Sequence, residues 1–194
     1  MILTAGHETN SLAFAKILQL YVPKRSCIAD VTYGRGVFWQ DVEIPGEYNY
    51  SISQTDIVTG VDFTMLPYAD KSFDALVLDP PYMHGGETVK ESINKCYRNQ
   101  NGSHASVIRL YARGILEAHR VLRKDGTLII KTQDEIESGK QRWSHMELIT
   151  LCELVGFRMV DLFVVTPGTI PAMREKYQKS ARKNHSYFLV GKKP

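Results

Sequence analysis

Asp79-Pro80-Pro81-Tyr82 is the segment of this chain whose residue types and order could most readily do chemistry. Two adjacent prolines fix two φ angles and remove two N–H donors, and Asp79 is itself restricted by preceding a proline. The result is a stiff turn that holds a carboxylate, free carbonyl oxygens and an aromatic ring. That set suits an exocyclic amino group such as that of adenine, which is a poor nucleophile because its lone pair is delocalised into the ring. If Asp79 and the Pro80 carbonyl accept from its two N–H groups, the nitrogen is drawn toward tetrahedral geometry and its lone pair is freed. Tyr82 can stack on a base that has left its duplex. Asp and Pro also build ordinary rigid turns, so the surroundings must decide.

Asp30-Val31-Thr32-Tyr33-Gly34-Arg35-Gly36 is the second candidate. Glycines after a strand let the backbone turn sharply and approach a ligand without a Cβ in the way. A carboxylate at the strand end can pair with a cationic or donor group of that ligand. Two glycines also occur in ordinary strand–helix turns, and no G-x-x-x-x-G-K-S/T supports a triphosphate loop. Asp56 and Asp62 complete the acids at strand ends: the first is placed to accept from ribose hydroxyls, and the second, followed by Phe63, from an adenine amino group. Both also read as surface turn acids. The interval between them is too short for a full helix.

The elements that must position these residues alternate between strand and helix. Residues 11–21 read as a helix, with Phe14, Ile17, Leu18 and Tyr21 on one face. Cys27-Ile28-Ala29-Asp30-Val31 is a short buried strand, Tyr50-Ser51-Ile52-Ser53 a second, and Phe73-Asp74-Ala75-Leu76-Val77-Leu78-Asp79 a third. Val107, Leu110, Tyr111, Ile115, Ala118, His119 and Leu122 recur at helical spacing. Lys124-Asp125-Gly126 then predicts a turn before the strand Thr127-Leu128-Ile129-Ile130-Lys131. Ser144-His145-Met146-Glu147 predicts a capping box for a helix that stops at Gly156. Two apolar runs follow, at 159–165 and 186–190. The order predicts an α/β fold with a mainly parallel sheet and ligands at the carboxyl ends of its strands. The three acidic motifs fall at those ends.

The chain has 194 residues, which suits a single domain, 1–194, with 43% hydrophobic and 23% charged residues. No apolar run is long enough to span a membrane, and the first residues lack the pattern of a signal peptide. Three widely spaced cysteines, Cys27, Cys96 and Cys152, argue against a disulfide framework or a structural metal and for a cytoplasmic setting. The net charge of +3 is unevenly spread: residues 1–100 carry 8 Lys/Arg against 12 Asp/Glu, and residues 101–194 carry 16 against 9. A polyanion is favoured at the second half, although a lysine-rich solvated surface has the same composition.

These motifs together resemble the amino-methylating DNA methyltransferases, the N6-adenine and N4-cytosine group of class I methyltransferases. Leu78-Asp79-Pro80-Pro81-Tyr82 matches the catalytic motif of that group in full. Asp30, Gly34 and Gly36 match its D-x-F-x-G-x-G motif, with Thr32 in place of the usual Phe that packs beside the cofactor. The segment 181–190, with Ala181-Arg182-Lys183-Asn184-His185 at its head, resembles the last-strand region of the group, small phage and prophage methylases in particular. His7-Glu8-Thr9-Asn10-Ser11 occupies the place of its N-terminal cofactor-side motif.

The resemblance implies a class I methyltransferase (Rossmann-like) fold: a seven-stranded, mainly parallel sheet with an antiparallel last strand and helices on both faces. It implies S-adenosylmethionine as cofactor, held by Asp30, Thr32, Gly34, Gly36, Asp56, Asp62 and Phe63, no metal, and direct methyl transfer at Asp79, Pro80, Pro81 and Tyr82. Asp at the head of the tetrad is more usual for adenine N6, while N4-cytosine methylation and base methylation of tRNA or rRNA remain alternatives. A non-catalytic nucleic-acid binder on this fold would have no need of the acceptor pair.

DNA is the expected partner, with RNA possible; the sequence leaves open monomer or homodimer. Little of the chain is free for a separate target-recognition domain. The loops that could serve are 83–103 with Lys90 and Arg98, 133–142, and 166–183 with Arg174, Lys176, Lys179, Arg182 and Lys183 around Tyr177. Basic residues about an aromatic suit phosphate contacts with some base stacking; a loop that is merely solvated would have a similar composition. His84 reads as incidental, Trp39 and Trp143 as packing residues, and Lys131 as a lesser candidate to face the site.

Overall fold

A computed structural model describes residues 1–6, 8–43, 46–81, 103–166 and 180–194. Alternating apolar runs build one seven-stranded sheet. Its strands are β1 (Ala5–Gly6), β2 (Cys27–Asp30), β3 (Ser51–Gln54), β4 (Phe73–Leu78), β5 (Leu122–Thr132), β8 (Arg158–Val165) and β9 (Ser186–Lys192). A separate hairpin is formed by β6 (Glu135–Glu137) and β7 (Lys140–Arg142). The helices are α1 (Asn10–Tyr21), α2 (His104–Val121) and α3 (Ser144–Val155).

The strand order is β1-β8-β9-β5-β4-β2-β3. Pairs β2–β3, β2–β4, β4–β5 and β1–β8 are parallel, and β9 runs antiparallel between β5 and β8. Parallel strands need crossovers and are covered on both faces, which is why β4 reads as an almost unbroken apolar run.

The two faces have separate cores. Phe14, Ile17 and Leu18 of α1 pack on Ile28, Ala75, Val77, Ile129, Phe188 and Val190. Leu76 and Leu78, alternating with these along β4, face Tyr111, Ile115 and Ala118 of α2 and Leu148 and Cys152 of α3. The Phe14 ring lies 5.0 Å from Trp39 and 5.5 Å from Phe38. Burying such a ring is worth roughly 1.5–3 kcal/mol, and each aromatic pair adds about 0.5–1.5. Among the described residues no helix is long and apolar enough to cross a membrane.

Two local expectations change. Lys124-Asp125-Gly126 does not separate helix from strand as a free turn: β5 already starts at Leu122, and Asp125 takes φ +63° where the β4 register jumps from Leu122 to Thr127. Ser144 is not a cap. Trp143 occupies the N-cap of α3 without a side-chain bond, because Glu147, the expected return partner, reaches His104 instead. The turn after β2 runs into a single 3-10 turn, Val37–Trp39.

Candidate active site

The turn after β2 is held from within. Gly34 and Gly36 take φ +54° and +67°, conformations that cost an L-residue strain. A Cβ on Gly36 would stand 2.5 Å from the Tyr33 hydroxyl. Asp30, expected on the cofactor side, is only 2% exposed and braces the turn. Its Oδ1 accepts from Thr32 N at 3.1 Å and its Oδ2 from the Trp39 indole Nε1 at 2.7 Å. Burial pushes the Asp30 carboxyl up to about 6; the Trp39 and Thr32 bonds oppose the rise, and the charge of Asp56 adds to it. Trp39 is a packing residue with this polar task besides.

Asp56 is brought to the same turn. It follows β3, caps the 3-10 turn Ile57–Thr59 through Val58 N at 2.9 Å, and accepts from Gly34 N at 3.1 Å. It stays partly exposed, with acceptor capacity left on both oxygens. Asp62 closes its own loop, its Oδ1 accepting from Thr64 N at 2.8 Å and Thr64 Oγ1 at 2.7 Å. Phe63, expected on the cofactor side, is fully buried, its ring filling the space beside Gly114 and Leu78.

Across the sheet, Asp79 lies at the carboxyl end of β4, between the ends of β2 and β5. Its backbone N–H donates to Thr32 Oγ1 at 2.7 Å, so the two motifs touch. Asp79 Oδ1 is buried and has no hydrogen-bond partner among the described residues, a state it shares only with Thr132 Oγ1. A buried carboxylate oxygen left unpaired is costly and is an acceptor in want of a donor. Burial drives the Asp79 carboxyl well above the usual carboxylate range, against the pull of Lys131 and with a further push from Asp30. Pro80 is buried beside it. Tyr82 lies outside the described residues, as do His84, Lys90, Arg98, Arg174, Lys176, Tyr177 and Lys179.

Lys131 belongs to this centre. The β4–β5 register pairs Leu78 with Ile130, which sets Asp79 and Lys131 side by side at the strand ends. Its Nζ donates to Asn10 Oδ1 at 2.8 Å and to Ser186 Oγ, and lies 4.2 Å from the centre of the Phe188 ring. Asn10 and Ser186 carried no distinguishing sequence signal beyond their place in two regions of family resemblance. Burial holds the Lys131 ammonium below its ordinary range, with Asp79 opposing.

A polar rim surrounds the strand ends. Asp134 Oδ1 accepts from His145 Nδ1 at 2.7 Å, and the His145 ring stacks on Tyr187 at 4.4 Å. His185 bonds the Tyr187 hydroxyl at 2.8 Å. Trp143, expected to pack, is 52% exposed, with Lys183 Nζ 5.8 Å from its ring centre. Arg182 and Lys183 reach this rim because β9 starts where β5 ends, Tyr187 opposite Thr132. No group of three His, Cys, Asp or Glu among the described residues could hold a metal.

No family model and no curated protein matches the sequence. Solved structures do match. A Galdieria sulphuraria protein provisionally named a sarcosine dimethylglycine methyltransferase superposes with a TM-score of 0.60 over 94% of this chain and 84% of its own, at 12% identity. The chain has the class I methyltransferase fold. A TehB-like S-adenosylmethionine-dependent methyltransferase from Corynebacterium glutamicum gives 0.52 over 93% and 87%, at 14% identity. In a third alignment the chain spans about half the length of a Thermus thermophilus protein provisionally named a DNA modification methylase. There the identity is 19%, over 66% of this chain and 49% of that one, with a TM-score of 0.45. At these identities the likeness concerns the fold, and the site must speak for the chemistry.

Proposed function

We propose that this class I methyltransferase fold carries an S-adenosylmethionine-dependent enzyme that methylates an exocyclic base amino group, adenine N6 in DNA. The single observation that carries the reading is the buried, unpartnered Asp79 Oδ1 at the carboxyl end of β4, beside a proline that offers a carbonyl and no N–H. An amino group placed there would satisfy that oxygen with one N–H and the Pro80 carbonyl with the other. Both bonds strengthen as the nitrogen becomes tetrahedral and gains positive charge, so they favour the transition state over the ground state.

The residues present fit the cofactor. The exposed Gly34, with only the Thr32 carbonyl, at 3.9 Å, within 4 Å of where its Cβ would stand, leaves room for a ligand against the backbone. Asp56 can still accept from hydroxyls, and Thr32 sits between that turn and Asp79. S-adenosylmethionine would supply there a methyl group on a positively charged sulfur. Asp79 and Pro80 would orient the amino nitrogen in line with it, and the closed β4–β5 core behind them excludes water.

Nucleic acid as substrate is supported by the rim: exposed Trp143 beside Lys183, with Arg182 and the His145–Tyr187 stack close by in sequence or contact. Such a surface offers stacking and phosphate contacts. Adenine rests on the first residue of the tetrad.

Incubation with methyl-labelled cofactor and separate DNA and RNA, followed by identification of the modified nucleoside, tests the reading. N6-methyladenine in DNA is expected, abolished in Asp79→Ala while cofactor binding persists. Label in RNA alone overturns the DNA assignment, N4-methylcytosine overturns adenine, and undiminished transfer by Asp79→Ala overturns the site.

A further inference from the structure

Lys131 is the one lysine among the described residues that is buried from solvent, at 1% exposure. An ammonium in such a place is costly unless an opposite charge answers it. A methionine would fill the same volume without that cost. The groups that hold the ammonium are all uncharged: Asn10 Oδ1 from the start of α1, Ser186 Oγ from the start of β9, and the face of Phe188. Three groups from two elements, α1 and β9, thus converge to fix its position, and none of them neutralises it. The anion that its charge reaches is Asp79, its neighbour on β4 by register.

We propose that Lys131 is a positioning residue of the reaction, a buried cation locked by Asn10 and Ser186 whose task is to keep Asp79 ionised and acceptor-only. A protonated Asp79 would present an O–H in place of one lone-pair site, and an amino group offering two N–H donors would meet a donor. Ionisation is therefore a condition of the acceptor geometry. The charges around Asp79 pull in opposite directions. From β2, the carboxylate of Asp30 disfavours its ionisation, and from β5 Lys131 favours it. From α1 and β9 come the neutral Asn10 and Ser186; Lys16, the charged residue of α1, is already paired with Glu8. Within this set Lys131 is the cation that offsets both burial and Asp30.

The inference rests on the proposed methyl transfer only for its kinetic readout, so a readout that needs no substrate accompanies it. Carboxyl-labelled Asp, assigned with Asp79→Asn, allows Asp79 to be titrated by carbon NMR in the wild type and in Lys131→Met. Loss of the cation should raise the pH at which Asp79 ionises by about one unit or more. If methyl transfer is measured as well, the acid limb of the pH–kcat profile should move up by the same amount. A one-unit shift gives about a tenfold loss on the acid side, recovered at high pH, with KM for the cofactor little changed. Asn10→Ala and Ser186→Ala release the ammonium without removing it and should shift Asp79 in the same direction by less; they serve if Lys131→Met does not fold. An Asp79 titration unmoved in the folded variants overturns the role of Lys131 whether or not the wild type methylates nucleic acid. A wild type that transfers no methyl group, with Asp79 still shifting, overturns the proposed reaction and leaves the electrostatic coupling standing.

Discussion

Thr32 Oγ1 accepts the backbone N–H of Asp79 across 2.7 Å, tying the glycine turn after β2 to the first residue of the tetrad after β4. Pro80 and Pro81 have no N–H to give, so Asp79 is the only one of the first three tetrad residues that can be anchored by its own backbone donor. The residue that departs from the resembling family's motif is the one that supplies the anchor.

Thr32→Val keeps the shape and removes the acceptor. The buried N–H left behind should cost about 1–3 kcal/mol of stability, and methyl transfer should fall more than cofactor binding does. Thr32→Ser should restore both. Urea unfolding and single-turnover rates measure the pair of effects; equal behaviour of Val and Ser would dismiss the anchor.

Asp30 gives a pH prediction of definite sign. Its carboxyl ionises near 3.8 ordinarily and at about 6 in the fold. The folded state therefore holds the proton more tightly, and the resulting stabilisation is full below pH 4 and lost as pH rises through 6. The stability of the wild type minus that of Asp30→Asn should decrease by about 2–3 kcal/mol between pH 4 and pH 7. A flat difference over that window would mean that the carboxylate is not desolvated.

The grouping of these residues was legible in the sequence for a simple reason: Asp30, the glycines and Asp79 follow apolar strands and Asp56 follows a short polar one, and in a parallel sheet such ends gather on one rim. What each acid does there was not legible. Asp30 is spent on Trp39, nine residues on, and Thr32 on Asp79, 47 residues on, and neither bond follows a period. The burial of Phe63 was not legible either: the residue facing its ring is Gly114, whose missing side chain makes room for it. Ser144 and Glu147 had the spacing of a cap, but His104 lies 43 residues before Glu147 and outcompetes it. Lys131 was legible as a lesser candidate from its place at the end of an apolar strand, but its tethers, Asn10 and Ser186, lie 121 and 55 residues away and follow no period.

Gly114→Ala tests the Phe63 contact. A Cβ there would stand 2.8 Å from the Phe63 ring and 3.2 Å from Leu78. The helix preference for alanine, worth about 1 kcal/mol, should be outweighed by overpacking of about 1–3 kcal/mol. A lowered melting temperature is expected, relieved by Phe63→Leu in the double variant. Additive losses would show that the two positions do not press on each other.

His104 joins three segments: Nδ1 meets Glu135 at 3.0 Å, Nε2 meets Glu147 at 2.8 Å, and its backbone N–H donates to Glu137 at 2.8 Å. His104→Ala should raise amide exchange in β6 and β7 at least about tenfold while β4 and β5 stay protected. Unchanged exchange in the hairpin would mean that it stands without that side chain.

The antiparallel β9 has a consequence for how the molecule is assembled. It is the strand latest in sequence, yet it lies inside the sheet, between β5 and β8, and brings Ser186 to the Lys131 ammonium. Until residues 186–192 have left the ribosome, β8 has only the two-residue β1 to pair with, and the buried cation lacks one of its tethers. A growing chain can lay down both acidic motifs early but cannot lock the charge behind Asp79. Translation that stops short would yield a protein with its chemistry encoded and its active centre unfinished.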